Sequence, residues 1–166
     1  MALSLDRLLF VPAAIPPHKQ NMQVTSASTR VAMLEQSLKG NDAFELCTLE
    51  VERKGPSYTV DTLRELIQKM PATSFFLLLG VDQIRDFRTW REHDEITKLA
   101  NVVMLTRQDA RAPEAAPFVK EIVEVTRVDL SSTLIRQRVR DGLPIRYMVA
   151  DGVEEIVQRE RLYLAV

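Results

Sequence analysis

The chain has 166 residues, 46% of them hydrophobic and 27% charged, which suits one globular domain with a real core. Its net charge of -1 provides no bulk electrostatic reason to expect nucleic acid or an anionic membrane as a partner. The single cysteine excludes an internal disulfide and is typical of a reducing cytoplasm, and the two distant histidines argue against a zinc site. We expect no signal peptide and no membrane span.

The chain opens with a strand-like pattern followed by a proline-rich loop. Residues 7–11 predict a strand that Pro12 ends. In the loop of residues 13–19, neighbouring prolines restrict the backbone, so that His18 and Lys19 are held in a definite place. From these residues alone, an ordinary surface turn with an incidental basic pair is the favoured interpretation.

Two helices and a strand are predicted next. Residues 25–28 can cap an amphipathic helix that ends at Gly40, and residues 44–51 predict a second strand. Ser57 or Thr59 is expected to cap the following helix, whose first N–H groups have no partner within the helix. Val60, Leu63 and Ile67 are expected to form the buried stripe of this helix.

The longest uninterrupted hydrophobic run, residues 75–79, is the feature around which the other elements are arranged. A short apolar run that stops at Gly80 predicts a strand buried on both faces, as in a parallel sheet. Ligands of such sheets bind beyond the carboxyl ends of the strands, where Asp82 and the only tryptophan, Trp90, follow. A small-molecule pocket and a core strand with a packing tryptophan are equally consistent with this pattern.

The remaining elements continue the alternation of helix and strand. A short helix is expected at residues 94–100 and a strand at 102–105, followed by a loop at 108–117. A short helix around residues 118–121 is expected to precede the last strand, 122–128. Strands that alternate with helices imply right-handed βαβ units, a parallel sheet and a three-layer α/β/α nucleotide-binding fold in one domain.

A second chemical signal lies in residues 129–140. Ser131 or Ser132 can cap a helix whose N-terminal amides would bind an anion. Arg136 lies one turn inside this helix and Arg140 repeats the same face, so the segment suits a polyphosphate. A capped amphipathic helix with a solvated basic face is an equally good interpretation.

Several strings occur together in the order and spacing of one known family. They are FVPAAIPPHK, GPSYTVDTL, LLGVDQIRDFRTW, VVMLTR and LSSTLIRQRV. With them the chain resembles the bacterial nicotinate-mononucleotide adenylyltransferases over residues 2–166. The resemblance implies a Rossmann-like nucleotidyltransferase fold and an enzyme of NAD biosynthesis. That enzyme would make nicotinic acid adenine dinucleotide and pyrophosphate from ATP and nicotinate mononucleotide, with Mg²⁺ expected to accompany ATP.

The resemblance also implies roles for individual residues and leaves a homo-oligomer open. The residues expected at the ATP phosphates are Lys19, Ser132, Thr133 and Arg136. The residues expected at the pyridine nucleotide are Tyr58, Thr59, Asp82 and Trp90, with the indole stacked on the pyridine ring. No residue of this chain is implied as a metal ligand.

Two motifs of the family, Gly-Gly-x-Phe-Asp-Pro and His-x-Gly-His, do not occur in the sequence. Residues 2–6 resemble the end of the family's first helix, so the sequence predicts a fold without its first strand–helix unit and two strands with an unpaired apolar edge. We therefore expect no catalytic residue in this chain and weak or no turnover by it alone. A late-start form of an ordinary adenylyltransferase is the favoured hypothesis. The alternatives are a non-catalytic nucleotide-binding remnant and an adenylyltransferase for another mononucleotide.

Overall fold

The computed structural model describes residues 3–15, 25–107 and 116–164. The chain divides into two compact units, one made of Leu3–Pro56 and Val128–Val166 and the other of Ser57–Arg127. In chain order, the elements are β1 (Leu8–Phe10), α1 (Ala27–Leu38), β2 (Phe44–Leu46), α2 (Leu49–Arg53), α3 (Thr59–Lys69), β3 (Phe76–Gly80), α4 (Val81–Asp86), a 3₁₀ turn (Phe87–Thr89), α5 (His93–Leu99), β4 (Asn101–Arg107), β5 (Val119–Val125), α6 (Ser132–Arg140) and α7 (Asp151–Arg159).

The first unit contains a parallel pair of strands and the packed helices α1 and α7. Strand β1 pairs with β2 from Leu8 opposite Phe44 to Phe10 opposite Leu46. Helix α1 begins as the sequence predicts, because the Ser26 hydroxyl accepts a hydrogen bond from the N–H of Thr29 at 3.0 Å. This unit therefore has its own small sheet and its own helical layer.

Strand β2 is shorter than the predicted strand of residues 44–51. It ends at Leu46, and residues 49–51 belong to helix α2 instead. The helix is stabilised locally: the carbonyl of Thr48 accepts a hydrogen bond from the N–H of Glu52 at 3.0 Å, and the Thr48 hydroxyl donates to the Glu52 carboxylate. Leu49, an apolar residue of the predicted strand, is buried as part of this helical turn instead.

The second unit contains a parallel sheet of three strands in the order β3-β4-β5. The middle strand, β4, forms its core, since Val102, Val103 and Met104 have no exposed surface. The expected parallel arrangement is confirmed, but in the described residues the five strands form two sheets rather than one. Among the described residues β3 pairs only with β4. Phe76 keeps 38% of its surface exposed, so the predicted burial on both faces is wrong.

The helix predicted around residues 118–121 is also wrong, because residue 118 lies in a turn and residues 119–121 begin β5. Strand β5 pairs with β4 from Val119 opposite Val102 to Val125 opposite Arg107, with an irregularity between Val102 and Val103. Pairing with a buried neighbour satisfies the backbone of this segment, while its charged side chains remain exposed.

The core of the second unit connects α3, α4, α5 and the sheet. Its buried members include Val60 of α3, Phe87, Ile96 of α5 and Met104 of β4. The hydrophobic stripe of α3 faces this core, as its sequence predicts. No helix within the described ranges is long and apolar enough to cross a membrane.

Candidate nucleotide-binding site

The Ser-Tyr-Thr string lies at the N-terminus of α3. The N-cap is Tyr58, not Ser57 or Thr59 as expected, because the Tyr58 carbonyl accepts the first hydrogen bonds of the helix, from Asp61 at 3.1 Å and Thr62 at 3.2 Å. Ser57 is buried, and Thr59 is the first helical residue. The string therefore places the half-buried Tyr58 ring at the entrance of the helix.

Strand β3 leads directly into a short helix that the sequence pattern did not predict. Helix α4 begins at Val81, immediately after the strand, and the Gln83 side chain accepts a hydrogen bond from the N–H of Gly80 at 3.1 Å. A Cβ at residue 80 would lie 2.9 Å from this Gln83 oxygen, so a larger residue there would displace the Gln83 side chain. The turn and α4 carry the chain from the sheet edge to Trp90.

Trp90 is supported from one side by the core. Its indole lies 5.5 Å from the ring of the completely buried Phe87, at an interplanar angle of 42°. The backbone N–H of Trp90 donates to the carbonyl of Phe87 at 3.0 Å, which ends the 3₁₀ turn. Because Trp90 itself is only half-buried, part of the indole remains available to a planar ligand.

Asp82 lies in the first turn of α4, at the carboxyl end of β3 where the sequence predicts it. Its side chain is 93% exposed and its carboxylate lies 3.7 Å from the guanidinium of Arg85, one turn further along. An exposed pair of this kind is weak, so Asp82 can exchange Arg85 for the hydroxyl groups of a ligand at small cost.

Arg91 is a residue of this region to which the sequence analysis assigned no role. Its guanidinium carbon lies 4.8 Å from the centroid of the Tyr58 ring, in cation–π geometry. The signal that could have revealed it is a cation directly after Trp90 together with an acid, Asp61, three residues after Tyr58. The two strings become spatial neighbours only through the fold.

The charged groups around Arg91 perturb one another. A hydrogen bond from Arg64 lowers the pKa of Glu92 below that of an ordinary glutamate, with a smaller electrostatic contribution from Arg64 and Arg91. The same hydrogen bond raises the already high pKa of Arg64. Both groups are therefore fully ionised at neutral pH.

Helix α6 carries the predicted phosphate-binding residues. Of the two serines considered as its cap, Ser131 has that role: its hydroxyl accepts a hydrogen bond from the N–H of Leu134 at 3.1 Å. The first hydrogen bond of the helix runs from the N–H of Ile135 to the Ser131 carbonyl, so the N–H groups of Ser132 and Thr133 have no acceptor within the helix. The first turn contains no acidic residue that would repel an anion.

Arg136 joins this helix start through a side-chain contact. Its guanidinium donates to the Thr133 hydroxyl at 3.3 Å, and the group is half-buried. One side of the helix N-terminus thus combines a guanidinium, a hydroxyl and backbone N–H groups, which are the donors that phosphate oxygens accept from.

The predicted site residues fall into two groups. Tyr58, Thr59, Asp82 and Trp90 belong to the unit Ser57–Arg127, and Tyr58 and Trp90 pack against the same hydrophobic cluster. Ser132, Thr133 and Arg136 belong to the other compact unit. Lys19 lies outside the described residues. Across residues 3–15, 25–107 and 116–164, no group of three or more His, Cys, Asp or Glu side chains could hold a metal ion.

Comparisons with known proteins place this chain in a family. A cytidylyltransferase-like family model matches residues 2–138. The chain is 40% identical over 162 residues to a probable nicotinate-nucleotide adenylyltransferase of Geobacillus thermodenitrificans, covering 98% of this chain and 74% of the relative. A probable nicotinate-nucleotide adenylyltransferase of Shouchella clausii is also 40% identical over 162 residues, covering 98% of this chain and 83% of the relative.

Solved structures support the fold. A Plasmodium falciparum nicotinic acid mononucleotide adenylyltransferase complexed with NaAD matches 95% of this chain and 82% of its own, with a TM-score of 0.72 at 16% identity. A putative nicotinate-nucleotide adenylyltransferase from Vibrio parahaemolyticus matches 97% of this chain and 80% of its own, with a TM-score of 0.68 at 19% identity. The predicted Rossmann-like nucleotidyltransferase fold is thereby confirmed. The chain belongs to the cytidylyltransferase-like family, among the nicotinate-nucleotide adenylyltransferases.

Proposed function

We propose that the reaction of this chain is adenylyl transfer from ATP to nicotinate mononucleotide, which yields nicotinic acid adenine dinucleotide and pyrophosphate for NAD biosynthesis. The likeness to nicotinate-nucleotide adenylyltransferases at 40% identity over 98% of the chain carries this proposal. The proposal treats residues 1–166 as one nucleotidyltransferase domain and sets the reaction in the cytoplasm, which the single cysteine supports.

The pyridine nucleotide is assigned to the half of the chain that carries Trp90. The indole, braced by Phe87, offers a flat π surface for stacking on the pyridine ring. Tyr58 and Thr59 would hold the nicotinate end from the start of α3, and the exposed Asp82 would accept hydrogen bonds from the ribose. Recognition would thus combine one stacking contact with polar contacts from α3 and α4.

The phosphates of ATP are assigned to α6. The hydroxyls of Ser132 and Thr133, the N–H groups of the first turn and the Arg136 guanidinium would donate hydrogen bonds to phosphate oxygens. Lys19 is proposed to add a further positive charge. Mg²⁺ bound to the triphosphate would neutralise part of its charge, and no described residue is assigned to hold the ion.

The chemistry needs no covalent intermediate with the protein. A phosphate oxygen of the mononucleotide attacks the α-phosphorus of ATP, a new P–O bond forms, and the bond to the bridging α–β oxygen breaks as pyrophosphate leaves. The protein contributes by positioning the two reactants and by neutralising charge on the phosphates. Selectivity for the pyridine mononucleotide follows from the contacts assigned to Trp90, Tyr58 and Thr59.

The proposal is tested with the whole chain in two measurements. Calorimetry with nicotinate mononucleotide and with ATP plus Mg²⁺ measures binding, and chromatography measures dinucleotide formation. The assay should use enzyme at substrate concentration, so that even slow product formation is detected. Dinucleotide formation supports the proposal. Binding of both nucleotides without any product would overturn it in favour of a nucleotide-binding remnant, and product from another mononucleotide alone would reassign the acceptor.

A further inference from the structure

Four charged side chains form a closed ring of ion pairs beside Tyr58. Arg64 contacts Glu92 at 2.6 Å and Asp61 at 3.7 Å. Arg91 contacts the same two acids, Asp61 at 3.4 Å and Glu92 at 3.5 Å. Each acid therefore lies between both guanidiniums, and the two positive and two negative charges cancel. We refer to Asp61, Arg64, Arg91 and Glu92 as the charge ring.

The charge ring connects two segments that are distant in sequence. Asp61 and Arg64 lie in the first half of α3, whereas Glu92 is the N-cap of α5. Arg64 and Glu92 are 28 residues apart, and both nitrogens of the guanidinium end contact the carboxylate, at 2.6 and 3.4 Å. This two-point contact defines the orientation of both groups.

The backbone at Glu92 shows why such a connection is needed. Glu92 has φ of 51° and ψ of 43°, a left-handed conformation that a residue with a Cβ adopts at a cost. Strained conformations persist when surrounding contacts determine them, and the two ion pairs of Glu92 supply such contacts. The turn that follows Trp90 is thus held by the charge ring.

Arg91 links the charge ring to the two aromatic side chains of the pyridine site. Its guanidinium lies over the Tyr58 ring at 4.8 Å, and its backbone directly follows Trp90. Both acids of the ring pair with Arg91, so its positive charge is already compensated within the protein. Its contacts suit a residue that orients neighbours rather than one that binds the nucleotide.

We propose that the charge ring positions Tyr58 and Trp90 for the pyridine nucleotide, with Arg91 as the positioning residue that couples the two aromatic side chains. The consequence for the nucleotide rests on the proposed function, whereas the effect on the aromatic side chains does not. All four side chains of the ring are between 31% and 51% exposed, so they add little to global stability and their effect is local.

The first test needs no ligand, since Trp90 is the only tryptophan and its fluorescence reports on the site alone. In Arg91→Ala, acrylamide quenching of Trp90 should rise and its emission should shift to the red, while Arg91→Lys should lie between this variant and the wild type. Lys98→Ala is the matched control, because it removes an exposed ion pair with Glu95 within α5. Quenching in Arg91→Ala equal to that in Lys98→Ala would overturn the proposal.

A second measurement separates positioning from stabilisation. The unfolding temperature of Arg91→Ala should stay close to that of Lys98→Ala, because both variants lose only exposed pairs. A much lower unfolding temperature in Arg91→Ala alone would show that the charge ring holds the fold together, which contradicts a positioning role. Asp61→Asn removes the negative charge that pairs with Arg91 and with Arg64, and it should change Trp90 quenching in the same direction.

The third measurement connects the charge ring to the ligand. In Arg91→Ala the dissociation constant for nicotinate mononucleotide should rise about two- to fivefold, as expected for loss of an exposed cation–π contact, and Arg91→Lys should restore part of the affinity. The dissociation constant for ATP should not change. Equal weakening for both ligands would contradict the inference. If the wild type binds no nicotinate mononucleotide, the proposed function fails. The quenching experiment then tests by itself whether the charge ring positions the aromatic side chains.

Discussion

The rings of Phe87 and Phe118 are stacked, with centroids 4.5 Å apart and planes 24° apart. Phe87 has no exposed surface, and its ring also lies against Trp90 at a centroid distance of 5.5 Å. A buried aromatic side chain thus stands between the residue that precedes β5 and the indole assigned to the pyridine ring. The position of Trp90 depends on the core as much as on its own turn.

Phe87→Ala should therefore destabilise the protein and displace Trp90. Removal of a fully buried phenylalanine costs about 3–5 kcal/mol, and the cavity would lie beneath the indole. Urea unfolding followed by circular dichroism measures the loss, and native-state tryptophan emission measures the displacement. Phe76→Ala is the control, since Phe76 is 38% exposed and should cost much less. Equal losses in the two variants would refute the importance of this stack.

Trp90→Ala should weaken binding of the pyridine nucleotide specifically. Alanine substitution of an aromatic residue that stacks on a base costs about 1–3 kcal/mol, which is roughly a 5- to 150-fold increase in dissociation constant. Trp90→Phe should retain much of the affinity because it preserves a π face. Calorimetry with nicotinate mononucleotide measures the change, and titration with ATP is the control. Unchanged affinity for the pyridine nucleotide would exclude the stacking role.

Ser131→Ala and Ser132→Ala should have opposite effects on stability and on ATP affinity. Ser131 caps α6, so its removal should cost about 1 kcal/mol of unfolding free energy with little effect on ATP affinity. Ser132 makes no capping contact and is exposed, so Ser132→Ala should change stability by less than about 0.5 kcal/mol but weaken ATP binding. Thermal unfolding and calorimetry with ATP plus Mg²⁺ distinguish the two. If the variants behave alike, the division between cap and phosphate contact is incorrect.

Gly152→Ala should destabilise the packing of α1 on α7. A Cβ at residue 152 would lie 2.6 Å from Oε1 and 3.0 Å from Cβ of Gln36. Overpacking of this kind costs about 1–3 kcal/mol, which exceeds the gain of about 1 kcal/mol in helix propensity. Chemical denaturation of the single variants and of Gln36→Ala/Gly152→Ala forms a double-mutant cycle. The double variant should recover much of the loss, because alanine at residue 36 lacks Oε1 and keeps only the Cβ contact at 3.0 Å. An undiminished loss in the double variant would point to another cause.

The charge ring should weaken under acid. Because Arg64 lowers the pKa of Glu92 in the folded state, the stability contributed by Glu92 is fully present above the ordinary glutamate value of about 4.3 and is lost as pH falls through the lower folded value. A pH titration of Trp90 emission should therefore show a transition below about pH 4.3. Glu92→Gln should abolish that transition. A transition at or above the ordinary value would contradict the Arg64–Glu92 contact.

Much of the fold follows from local patterns. The hydroxyl-capped start of α1, its end near Gly40, the apolar run of β3 and the periodic stripe of α3 are all predicted by neighbouring residues. Sequence pattern fails where tertiary pairing competes with local preference: residues 119–121 join β5 because β4 offers a buried partner strand. It also fails at α2, where the side chain of Glu52 and the burial of Leu49 favour a helical turn.

Part of the candidate site is likewise predictable from local sequence, and part depends on the tertiary structure. Contiguous strings of the sequence were enough to identify the family and to place Trp90 shortly after an apolar run. Only the tertiary structure decided that Arg91 lies over Tyr58 and that it shares two acids with Arg64. The physical reason is separation along the chain: Arg91 and Asp61 are 30 residues apart, and ion pairs at that distance exist only after α3 and α5 have packed on a common core.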